Sequence, residues 1–338
     1  MSTTILYVRP EGGGWGPITA MASLSARLLQ ADLITMERRE LGRVHKARAL
    51  LPRLRGAESL LVISPVPESL NFIALVPGLR RRYGTVIGWV VDCWWTNRIP
   101  VAVTRGHLYD RLLVTEKEVV DDWRRVTRMP VEWVPLGADV LGALRERGRA
   151  GDYERTVDLQ RMGRQPEAWD DDELVAAMCE HRGLAHGPRP PFGTTPEGSY
   201  ANVLAAAAGA RSLLAFTNLA SPAGYTHPSR EYVTSRWLDA LALGALVVGQ
   251  RPREEGSDEL LWEGATLDVS PTNVAAGLDA LAAELTHWTP ERADAIQDQA
   301  LRRLDWRWRL REVAELLDVA SPVLDAELRE LREALAGR

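Results

Sequence analysis

Short apolar runs at residues 4–8, 59–64, 85–91, 111–115 and 131–134 alternate with stretches of helical period, and the alternation begins again at 156–162. Parallel neighbours cannot be joined by a tight turn, so each strand needs a crossover, and a helix of roughly ten to fifteen residues supplies it. The pattern therefore predicts parallel sheets covered by helices on both faces. The interval 141–153, LGALRERGRAGDY, is polar, rich in Gly and Arg, and reads as a linker. Beyond it the sequence predicts helices at 171–182 and 201–210, a strand at 212–217, a helix and a strand within 229–249, and helix alone from Pro271 onward. The expected fold class is α/β, two Rossmann-like doubly wound domains facing a cleft, since ligands of open parallel sheets gather beyond the carboxyl ends of the strands.

Composition narrows the function classes. With 338 residues, 46% hydrophobic and 26% charged, the chain has an ordinary globular balance and length for two cores. No apolar run approaches the roughly 18–20 residues that span a bilayer. The start, MSTTILYV, has no basic n-region, so no signal peptide is expected. Two cysteines, Cys93 and Cys179, build no disulfide framework and fit a reducing cytoplasm. Residues 1–150 carry 22 Lys+Arg against 15 Asp+Glu, a balance of +7, and the remainder carries 19 against 31, a balance of −12. That basic excess suits an anionic partner or surface but is too small for a nucleic-acid footprint.

Several local patterns bear on chemistry. Gly12, Gly13 and Gly14 in EGGGWGP follow a strand and precede Pro17 at a helix start, where backbone N–H groups can meet an anion. No Gly-Lys-Ser/Thr follows, and the dinucleotide fingerprint fails at Thr19, so the loop is either a flexible turn or a ligand-facing turn of another kind. Asp170-Asp171-Asp172 has a spacing that can hold a divalent metal, yet an apolar helical period follows at once, which favours a helix start over a metal site. Cys179, His181 and His186 lack a fourth zinc partner. Residues 41–54 place Leu41, Val44, Ala47, Leu51 and Leu54 on one face among Arg43, Lys46, Arg48 and Arg53. Such a helix packs on its sheet with a solvated basic face, and peripheral contact with anionic lipid is the rival reading. Trp15, Trp94 and Trp95 stand near strand ends, where aromatic rings suit an acceptor.

The stretch SREYVTSRWLDALALGALVVG carries the strongest signal. Thr234 or Ser235 suits an N-cap, which leaves Glu231 in the preceding loop and puts Asp239 one turn inside a helix. Free N–H groups at that N-terminus, with Arg236 beside them, form an anion site. Carboxylates on either side can accept from hydroxyls. A nucleotide-sugar has that layout: a pyrophosphate between two polyhydroxylated groups.

The chain here resembles the retaining glycosyltransferases of the GT-B fold, group-1 (family 4) class, and more specifically their bacterial spore-maturation-like branch. Glu231-x7-Asp239 followed by Ala240-Leu241-Ala242-Leu243-Gly244 is similar to that family's Glu-x7-Glu and Ala-x-Ala-x-Gly. Residues 110–140 with Pro-Leu-Gly-x-Asp resemble the end of its first domain, 157–165 the first strand and Gly-Arg turn of its donor domain, and 304–317 its C-terminal helix. The resemblance implies an N-terminal Rossmann-like acceptor domain over 1–145, a nucleotide-sugar donor domain over 146–303, and helices over 304–338 that return to the first domain. It also implies that Glu231 contacts donor sugar hydroxyls, that Asp239 contacts the ribose, and that Arg164, Thr234, Ser235 and Arg236 surround the pyrophosphate with Gly12–Gly14. Three departures stand out: Asp239 replaces the second Glu, a lysine after the Gly-Arg turn is absent, and Val91 replaces a His, leaving Asp92 as the cleft carboxylate.

The expected activity is transfer of a sugar from a nucleoside diphosphate donor to an unknown acceptor, with retention, no cofactor and no metal. Glu231 and Asp92 are the candidate catalytic residues, and Trp15, Trp94 and Trp95 the acceptor platform. A silent nucleotide-sugar-binding protein and another doubly wound sugar-nucleotide enzyme remain the alternatives.

Overall fold

The computed structural model describes residues 2–37, 54 and 57–337. The basic helix expected at 41–54 lies outside the described residues, apart from Leu54. Two compact units are present: residues 1–135 with 307–332, and residues 136–306 with 333–338.

The first unit is built on six strands: β1 (Thr3–Arg9), β2 (Asp32–Glu37), β3 (Ala57–Ser64), β4 (Tyr83–Val90), β5 (Arg111–Val114) and β6 (Val131–Trp133), in the order β2-β1-β3-β4-β5-β6. Every strand pairing among the described residues of this sheet is parallel. Ile5, Leu6, Tyr7 and Val8 are fully buried, as a strand covered on both faces requires. β2 escapes sequence detection because it is an edge strand, DLITME, with only Ile34 and Met36 among its buried positions. Between β3 and β4, where the alternation predicts a helix, the chain forms two 3₁₀ segments, Pro67–Leu75 and Leu79–Arg81, separated by Pro77 and by Gly78 in the left-handed region.

Two C-terminal helices, Trp306–Leu316 and Pro322–Ala336, contribute residues 307–332 to this unit. Ser321 Oγ donates to the Leu28 carbonyl at 2.5 Å. Glu327 accepts from Arg307 Nε at 2.8 Å and from Arg27 Nη1 at 2.6 Å. Arg307 is fully buried, so the Glu327 carboxylate compensates a charge that has lost its water. Glu327→Ala is expected to destabilise the unit by about 3–5 kcal/mol. A denaturation midpoint unchanged from wild type would contradict that role.

The second unit holds β7 (Val157–Arg161), β8 (His186–Gly187), β9 (Ala210–Ala215), β10 (Leu246–Gly249) and β11 (Thr266–Asp268), in the order β11-β10-β9-β7-β8 and parallel throughout. Its core joins Leu159, Leu214, Leu246 and Val248 of the sheet to Trp169, Val175, Leu278 and Leu281 of the covering segments. The chain runs from β7 out to β8, then returns to β9 on the other side. β7 and β9 therefore flank a topological switch point, whose crevice opens at their carboxyl ends.

The linker expected at 141–153 is corrected. Val140–Arg147 is a helix, capped by Asp139 accepting from the Gly142 N–H at 2.9 Å, with Val140 and Leu141 buried. The following turn is clamped by the Pro290–Arg303 helix: Gln297 accepts from the Ala150 N–H, Asp294 from the Gly151 N–H at 2.8 Å, and Asp298 from Arg149 at 2.7 Å. The Gly and Arg content that suggested looseness serves close approach and ion pairing.

Candidate functional site

At the carboxyl end of β7 the chain turns through Met162, Gly163 and Arg164. Gly163 has φ +69°, and a Cβ there would lie 2.2 Å from Arg236 Nη1. Both facts favour glycine, because the left-handed region penalises side chains and the space belongs to a guanidinium. Arg236, on the Ser235–Ala242 helix, sends Nη1 to the Met162 carbonyl at 3.4 Å and Nε to Thr234 Oγ1 at 3.3 Å. Thr234 occupies the N-cap position, but its hydroxyl caps no amide of the first turn.

Two further guanidiniums surround the turn. Arg189 Nη2 donates to the Gly163 carbonyl at 2.7 Å. Arg164 lies 4.8 Å from the Tyr225 ring centroid, and its Nη1 is buried with no hydrogen-bond partner among the described residues. Burial, followed by the Arg164 charge, pulls Arg236 down to about 10. Among the described residues none of the three is ion-paired. Arg164 and Arg236 are half-buried cations that share one turn with no carboxylate bonded to them among the described residues, and the exposed Arg189 adds a third charge.

The carboxylates sit on either side. Asp239 is 3% exposed; its Oδ1 accepts from the Tyr200 hydroxyl at 2.7 Å, and its Oδ2 is buried without a donor among the described residues. Burial pushes its pKa up to about 7. Glu231 lies in the loop before the helix, where Oε2 accepts from the Arg253 N–H at 2.8 Å in the loop after β10. Asn218 shapes that loop, donating from Nδ2 to the His227 carbonyl at 2.9 Å and the Arg230 carbonyl at 2.8 Å. Gln165 Nε2 donates to the Met162 carbonyl at 2.9 Å, and Ser221 Oγ donates to the Gln165 carbonyl, so the loops after β7 and β9 hold each other. An open hollow of about 480 Å³ lies between them, lined by Gln165, Glu167, Asp170 and Ser221 among others. Its acidic lining suits hydroxyls better than phosphates.

Arg164, Thr234, Ser235, Arg236 and Asp239 thus gather at one end of one sheet, with Glu231 in the adjoining loop. Arg189, Tyr200, Asn218 and Gln165 complete the arrangement; Arg189 and Tyr200 carry no sequence signal, since each acts through a neighbour distant in sequence. The Asp-x-Asp run is structural, as its helix pattern suggested: Asp171 caps the Asp172–Glu180 helix by accepting from the Leu174 N–H, and Asp170 and Asp172 both engage Arg161. Cys179 is a core residue.

The other candidates belong to the first unit. Gly12 has φ +98° with open space around it, and Gly13–Trp15 forms a 3₁₀ turn into the Gly16–Leu28 helix. Asp92 follows β4, its N–H donating to the Pro65 carbonyl at 2.8 Å, and burial raises its pKa to about 7. Trp94 is only 6% exposed and packs inward, so of the three tryptophans Trp15 and Trp95 keep partly open faces. Arg98 covers the Trp95 ring at 4.0 Å. A carboxyl that folding neutralises costs stability once it ionises. The folded form of Asp92 holds its proton up to about pH 7, whereas an unfolded aspartate releases it near 3.8, so stability falls as pH rises through that window. Asp92→Asn is expected to equal wild type near pH 4 and to exceed it above pH 7. Melting curves that separate at low pH and merge at high pH would contradict this.

Comparison with known proteins gives a consistent picture. Residues 164–318 match the family model described as glycosyl transferase-like. No curated protein matches the chain in sequence. A glycosyltransferase from Rickettsia africae is similar in structure with TM-score 0.56 at 11% identity, over 94% of this chain and 98% of that one. An alpha-glucosyltransferase solved with UDP-glucose and DNA containing an abasic site gives TM-score 0.58 at 9% identity, over 94% and 99%. S. aureus TarM gives 0.50 at 9% identity, over 81% and 58%. At these identities the likeness is one of fold: two parallel doubly wound sheets of the GT-B glycosyltransferase type.

Proposed function

We propose that this glycosyltransferase moves a sugar from a nucleoside diphosphate donor to an acceptor, with retention of anomeric configuration and without a divalent metal. The single observation that carries the donor assignment is the trio Arg164, Arg189 and Arg236 around Gly163 at the switch point between β7 and β9, without an ion-pair partner among the described residues. The match of 164–318 to a glycosyl transferase-like model covers these residues, and the alpha-glucosyltransferase of similar fold was solved with UDP-glucose.

The pyrophosphate lies against Arg164 and Arg236, with first-turn amides of the Ser235–Ala242 helix adding partial positive charge. Asp239 takes the ribose on one side, and Glu231 the sugar hydroxyls on the other. As the bond to the anomeric carbon breaks, negative charge gathers on the leaving diphosphate, and preorganised guanidiniums stabilise it without reorganisation. Protein cations supply what a metal supplies elsewhere. The first unit takes the acceptor, with Trp15 and Trp95 as its platform and Asp92 as its carboxylate. The spore-maturation-like branch is the assignment that the Glu231-x7-Asp239 pattern favours within the class.

Release of nucleoside diphosphate from a panel of nucleotide sugars, with pooled acceptors and EDTA present, tests this reading. Transfer in EDTA to a product of unchanged anomeric configuration by NMR is expected. Activity lost in EDTA and restored by magnesium or manganese refutes metal independence, and an inverted product refutes retention.

A further inference from the structure

We infer that Tyr200 is a positioning residue for Asp239, holding one carboxylate oxygen so that the other is aimed, ionised, at the ribose of the bound nucleotide. The inference rests on the donor-site assignment above. Arg236 and Asp239 are three residues apart on one helix and share a face. A group bound at Arg236 through phosphate would therefore present its adjoining ribose about one turn deeper, where Asp239 lies.

The geometry there is unusual for a core carboxylate. Asp239 is 3% exposed, yet among the described residues only Oδ1 has a partner, the Tyr200 hydroxyl at 2.7 Å, and Oδ2 has no donor. A buried acceptor left unsatisfied is costly and is retained where a ligand supplies the missing donor. Aspartate is also one methylene shorter than glutamate, so its aim depends on an external clamp. Tyr200, on the Pro196–Ala208 helix packed against the Asp239 helix, is that clamp.

Tyr200 also opposes the effect of burial on Asp239, because a donor bonded to the carboxylate favours its charged form. Burial and the Asp239 charge keep the tyrosine itself protonated, so the donor persists across neutral pH. Among the surrounding charged groups, Asp139 bears on the Tyr200 hydroxyl and not on Asp239. On the Pro290–Arg303 helix, Asp294 and Asp298 are engaged by Arg149. On the Asp239 helix itself, Arg236 turns to the Met162 carbonyl.

The test is calorimetry with UDP, ADP and GDP, each beside its 2′,3′-dideoxy counterpart, from about pH 5.5 to 8.5. Titration of the terminal phosphate affects both members of a pair equally, so the ribo-to-dideoxy affinity ratio isolates the ribose contact. In wild type the ratio is expected to be about tenfold or more at the alkaline end, and to fall as Asp239 takes its proton near pH 7. Tyr200→Phe should move that fall to higher pH, and Asp239→Asn should flatten it. Tyr200→Phe that weakens both ligands equally, or leaves the midpoint in place, overturns the inference while the donor site stands. Failure of every diphosphate to bind wild type overturns both.

Discussion

Replacing Glu231 by alanine is expected to lower sugar transfer on the order of 100-fold, while affinity for the bare nucleoside diphosphate stays within about twofold. The reason is placement. Glu231 sits in the loop before the Ser235–Ala242 helix, five residues ahead of Arg236, and Oε2 is fixed by the Arg253 N–H at 2.8 Å. Its other oxygen makes no hydrogen bond to any described residue, and it is the one available to a sugar hydroxyl. Such a contact positions the sugar and strengthens as the glycosidic bond opens, so its loss falls on kcat and leaves the nucleotide contacts alone. Asp239→Ala has the opposite signature, with the loss in nucleotide affinity. Equal losses of bare-nucleotide affinity in the two variants, read by calorimetry, would contradict the division of roles.

Arg236 carries the second large effect, and it has two opposing parts. Arg236→Gln is expected to weaken nucleoside diphosphate binding by about 100-fold, through loss of a charge-assisted contact to phosphate. The same variant should melt higher than wild type without ligand, by roughly 2–4 °C. The sign follows from its lowered pKa of about 10, which burial and the Arg164 guanidinium produce. The fold disfavours the charged form, the cost is fully present at every pH well below 10, and it is relieved only as pH rises above that value. At pH 7 the variant loses that cost. Arg236→Lys should not restore binding, because a point charge cannot reproduce a planar fork. A variant that is both less stable and still able to bind would identify Arg236 as structural. A site whose ligand-free form is strained by its own charges is the usual compromise between stability and activity.

Legibility in the sequence followed physical scale. Long buried strands such as β1 and β3 announced themselves as unbroken apolar runs, because both faces are covered. Short strands at the sheet edges did not: β8 is two residues and β11 three, too brief for any period to register. The 229–249 stretch was readable because its charged residues are spaced along one loop and one helix, so local geometry alone places them. Tyr200 and Arg189 were not, since their roles depend on a helix and a loop folding back over the β7 turn. Residues 141–153 misled because composition reports polarity and not partners, and the partners are Asp294, Gln297 and Asp298, well over a hundred positions away. Trp94 misled for a related reason. A tryptophan near a strand end can face inward, and this one does.

On the reading proposed above, the arginine cluster around Gly163 receives the donor diphosphate without a metal. Calorimetric titration of UDP, GDP and ADP into the protein in excess EDTA tests it most directly, with Arg164→Ala and Arg236→Ala measured alongside. The expected result is saturable one-site binding of at least one diphosphate, weakened in each variant and weakened again for the corresponding monophosphate. Binding that needs added magnesium, or that both variants keep at wild-type strength, would contradict the claim.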